Sequence, residues 1–146
     1  MFSYVKQITD AVEAKIIFLL PTFTKSPYVW SIGNNNSKTN QKVFRVIADA
    51  GTSIDGAMRS ITMDQKFTVY LSTSYINKNS NDTGLQDAIE SLYASLEVIT
   101  TEAMLRKFNI NRVMSVSGLE LSAPEIDHDN HIVSIGATYT MLYRME

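Results

Sequence analysis

Apolar residues recur at three- and four-residue steps at the start of the chain, at Phe2, Val5, Ile8, Val12, Ile16 and Leu19. Lys6, Gln7, Asp10 and Glu13 occupy the rest of the circumference. This stripe predicts an amphipathic helix over residues 2–19, with Pro21 marking its stop. A second stripe runs through Leu85, Ile89, Leu92, Leu96, Ile99 and Ala103. Thr83 and Gln86 stand before it at capping-box spacing, Arg106 and Lys107 gather at its far end, and Asn109 suits a C-terminal cap. A long helix is therefore expected from about residue 84.

Elsewhere the period shortens to two. Phe67, Val69, Leu71 and Tyr75 alternate with Thr68, Tyr70, Ser72 and Ser74, which predicts a half-buried strand over 66–76. The strictest alternation closes the chain, with Val133, Ile135, Ala137, Tyr139, Met141 and Tyr143 on one face of a strand over 131–144. Shorter strands are expected at 28–32 and 41–48. Another is expected at 112–122, where the apolar phase slips near Gly118 as at a bulge. The segments 33–41, 50–60 and 77–83 are polar and are read as loops, and 124–130 as a turn. The last two strands are close enough for an antiparallel hairpin but not for a crossover. The reading is a single α+β domain over 1–146, a mostly antiparallel sheet with an N-terminal helix and one long helix packed on one face.

Composition narrows the function classes. Thirteen basic and fifteen acidic side chains give a formal net charge of −2, unlike the cationic face of a general nucleic-acid binder. The absence of cysteine excludes disulfides, thiolate metal sites and a cysteine nucleophile. The apolar run at 14–20 is too short to span a bilayer, and no basic leader precedes it, so no membrane partner is expected and the chain is read as made in the cytoplasm.

Nucleophile elbows, phosphate loops, zinc-binding helices and dinucleotide fingerprints are missing, so no enzyme activity and no cofactor are expected. The one cluster that could hold a metal is Glu125, Asp127, His128, Asp129 and His131, which includes both histidines of the chain. Its simpler reading is a polar hairpin turn. Trp30 reads as a packing anchor, with an exposed interface ring as the alternative. Lys42, Arg45 and Arg59 form a basic strip if their strands lie side by side; otherwise they are solvated surface. Glu90, Glu97 and Glu102 read as the wet face of the long helix, and the methionines, Met58, Met63, Met114 and Met141 among them, as core filler. Long polar loops in a chain without catalytic groups point to contacts with partners.

The order of elements is similar to that of the tail terminator (tail completion) proteins of long-tailed bacteriophages. The likeness covers nearly the whole chain. It rests on the N-terminal helix, the run Val43-Phe44-Arg45-Val46-Ile47-Ala48-Asp49-Ala50-Gly51 entering a loop, Phe67-Thr68-Val69-Tyr70-Leu71, the long helix from Leu85 and the final strand from Ala137 to Arg144. The resemblance implies a virion protein without catalytic residues. It would form a homohexameric ring that ends tail-tube growth and presents a docking face to the head-tail connector or neck protein, with DNA passing through unread. Under it, Trp30, Asn35, Lys42, Arg45, Ile54 and Arg59 are the candidate subunit or tube contacts. Alternatives are another neck or head-completion protein, or a small metal- or ligand-binding domain using residues 125–131.

Overall fold

The computed structural model describes residues 2–25, 42–48, 52–55, 62–75, 84–110, 113–129 and 131–144. The chain runs α1 (Phe2–Leu19), β1 (Thr24–Lys25), β2 (Lys42–Ala48), β3 (Thr52–Asp55), β4 (Thr62–Ser74), α2 (Gly84–Arg106), β5 (Val113–Leu121), β6 (Glu125–Asp127) and β7 (Ile132–Arg144). Both helices and the alternating strands fall where the periodicity puts them. The strand expected at 28–32, the loop at 33–41, Thr83 and the loop at 77–83 lie outside the described residues.

The strands form one sheet in the order β1-β2-β4-β7-β5. β1 joins β2 in parallel and every other pairing is antiparallel. At the centre, β4 and β7 pair along their whole length, from Thr62 opposite Arg144 to Ser74 opposite Ile132. This uses one edge of each strand. On the free edge of β4 lie β2 and, near its start, β3; on the free edge of β7 lie β5 and β6. The sheet is thus the expected antiparallel one, with the final hairpin formed by β5 and β7.

Two readings need correction. Residues 52–55 form strand β3, paired with Thr62–Asp64, and not part of a loop. Thr52, Ser53 and Asp55 offer too little apolar contrast to reveal a strand; it exists because β4 starts at Thr62, four residues earlier than its alternation shows, and offers it an edge. Within the expected turn, Glu125–Asp127 extends as β6 against Ile132–Ser134. Three residues are too few for a detectable period.

Both helices pack on one face of the sheet, α1 over β1 and β2, α2 over β4, β7 and β5. That face carries Phe44, Val46, Phe67, Val69, Leu71, Val133, Ile135, Ala137, Tyr139 and Met141, all buried. Cross-strand register sets them in rows, such as Phe44–Leu71–Ile135 and Val46–Val69–Ala137. From the helices, Ile8, Val12 and Ile16 and then Leu92, Leu96, Ile99 and Ala103 close over these rows. The opposite face uses small side chains bonded across strands. Ser72 and Ser134 share a 2.6 Å hydrogen bond, Thr68 and Thr138 one of 3.0 Å, and the Tyr70 ring lies where a Cβ on Gly136 would be 3.1 Å from it.

α2 ends in a turn at Lys107–Asn109, whose three residues have φ of 54°, 54° and 58°. Asn109 is therefore in the left-handed conformation expected of a cap. The turn also drives Phe108 into the core, edge-on to Tyr139 with ring centroids 6.2 Å apart.

The phase slip in β5 is a real bulge. Pairing with β7 shifts between Ser117 and Glu120, and Gly118 between them has φ of 66°. A Cβ there would also meet Thr140 Oγ1 at 3.0 Å. Gly118→Ala is expected to cost about 1–2 kcal/mol in urea unfolding, because a left-handed backbone and a close approach are strained together.

Candidate interaction surfaces

Of the six residues proposed as contacts, Trp30, Asn35 and Arg59 lie outside the described residues. Ile54 lies on β3, so it belongs to a strand and not to the loop expected at 50–60. Lys42 and Arg45 both lie on β2, three residues apart. With a side-chain period of two, they leave opposite faces of the strand, so they form no basic strip. Lys42 is on the helix side, its Nζ 5.8 Å from the centroid of the buried Phe23 ring. Arg45 is on the far side, in the row that continues through Tyr70 to Gly136.

Glu102 is not on the wet face of α2. It is 5% exposed, with Lys15 Nζ of α1 at 3.1 Å from one carboxylate oxygen and Arg106 Nη1 at 3.3 Å from the other. Oε1 lacks an aligned hydrogen bond, so its contact with Lys15 is an ion pair without that directional bond. The three charges tie α1 to α2 where the helices meet. Glu90 and Glu97 are exposed, as expected.

The histidines of the 125–131 segment converge on one ring. Tyr75, almost fully buried, stacks on His131 with centroids 5.3 Å apart and an interplanar angle of 27°. Its hydroxyl lies 3.4 Å from His128 Nδ1, and its amide donates to the His131 carbonyl at 2.9 Å. Asp127 Oδ1 accepts from the Asp129 amide at 3.1 Å, the local bond that makes Asp common in turns. Beside the turn is a groove of about 230 Å³ lined by Glu125, Ile126, Asp127, Ile132 and Ser134. Among the described residues, no three His, Asp or Glu side chains are grouped so that they could hold a metal ion. The contacts of both histidines account for a turn pinned to the end of β4.

Burial pushes the Tyr75 phenol above its ordinary 10.0, and the negative charge of Asp127 adds to the effect. Burial also raises Tyr139, while its hydrogen bond to Thr100 pulls the other way. Both phenols favour the neutral form in the fold. Their contribution is complete below 10.0 and is lost as pH rises through the raised folded values. The urea midpoint is therefore expected to hold from neutrality to about pH 10 and then fall, and to fall less steeply in Tyr139→Phe.

The informative surface is apolar. Phe18 of α1 and Leu105 of α2 are each 76% exposed, and each stands three residues beyond a member of the Lys15–Glu102 pair. Lys15 Nζ lies 5.5 Å from the Phe18 ring centroid. On the terminal strand β5, Met114, Leu119 and Leu121 are exposed, so Met114 is not core filler, whereas Met141 is fully buried. Leu119 and Leu121 face α2 across a groove of about 190 Å³, completed by Tyr93, Leu96, Glu97 and Thr100. Sequence reading missed this groove because alternation in β5 is broken by the bulge. The signal available was two leucines flanking Glu120 on a strand that ends the sheet. Among the described residues, no helix is long and apolar enough to cross a membrane. No protein-family model matches the chain, and no curated protein matches it.

Proposed function

We propose that this protein is a ring-forming subunit at the head-proximal end of a phage tail tube, where it ends tube growth and offers a docking face to the connector or neck protein. The observation that carries the reading is the order of elements, a helix, strands, a long helix and a closing hairpin, with both helices on one face of the sheet. The exposed apolar side chains on α1, α2 and β5 support a role exercised through surfaces.

A closed ring of identical subunits uses two different patches per subunit, one for each neighbour. Growth stops because the ring pairs with the tube end below and presents no equivalent face above. DNA would pass through without being read, in keeping with a formal net charge of −2 that leaves no overall excess of cations to hold phosphate tightly.

The test is tube assembly in vitro. Purified tail-tube protein is polymerised with and without the chain, and tube lengths are measured by electron microscopy. The expected result is short tubes carrying one added ring at a single end. Tubes of unchanged length with bare ends contradict the reading. The rival metal-binding reading predicts bound metal in the purified protein that is lost in His128→Ala/His131→Ala.

A further inference from the structure

We draw no further inference here: the strongest candidate, the apolar surface patch where Phe18 of α1 and Leu105 of α2 stand exposed beside the Lys15–Glu102 pair, carries none, because nothing in the structure shows what covers it.

Discussion

Tyr139→Ala is expected to cost about 3–5 kcal/mol, measured by urea unfolding, the usual range for removing a large buried aromatic ring. Tyr139 is fully buried in β7, opposite Phe67, with Phe108 edge-on to its ring. Its hydroxyl shares a 2.7 Å hydrogen bond with Thr100 Oγ1, so one side chain joins the central strand pair, α2 and the turn that ends α2. Since domains of this kind are stable by only about 5–15 kcal/mol, the alanine variant loses a large fraction of the total. Tyr139→Phe separates the two contributions. It keeps the ring and its packing, and is expected to cost only about 1 kcal/mol, mostly for the unpaired Thr100 hydroxyl. Similar losses in the two variants would contradict this role for the ring.

The second large effect is at the junction of α1 and α2. Lys15→Ala leaves Glu102 buried with only the exposed Arg106 beside it, and is expected to cost about 2–4 kcal/mol. Replacing both partners with apolar side chains, Lys15→Met/Glu102→Leu, removes the buried charge together with its partner. That double variant is expected to recover most of the loss, giving, against the single variants Lys15→Met and Glu102→Leu, a coupling of about 1–3 kcal/mol. Additive single and double effects would show that the pair is as solvated as an ordinary surface bridge.

These two predictions mark how far the sequence could be read. Strict alternation places Tyr139 in the core, and a clean helical stripe places Leu96, Ile99 and Ala103 there, because these periods follow from local backbone geometry alone. Glu102 adjoins that same stripe yet reads as wet in sequence, because its burial depends on Lys15, which approaches only when the two helices meet. The same holds for β3, which is a strand because β4 offers it an edge, and for the two histidines, whose orientation Tyr75 fixes from the end of β4. Periodicity reports which way a side chain points; it carries no information on which distant residue meets it.

The contact surface was legible in kind more than in place. Polar loops point to partners, and the proposed residues within them are Asn35, Ile54 and Arg59. Of the proposed residues on described strands, Lys42 and Arg45 lie on opposite faces of β2, and Ile54 lies on β3. The α2–β5 groove was hidden because Leu119 and Leu121 looked like ordinary strand residues until β5 proved to be the terminal strand and Gly118 a bulge.

Purified chain should be weighed by sedimentation and imaged by electron microscopy, first alone and then with tube protein. A closed ring of one fixed stoichiometry, formed in solution or templated on the tube end, is the predicted result. A monomer that never closes into rings under either condition contradicts it.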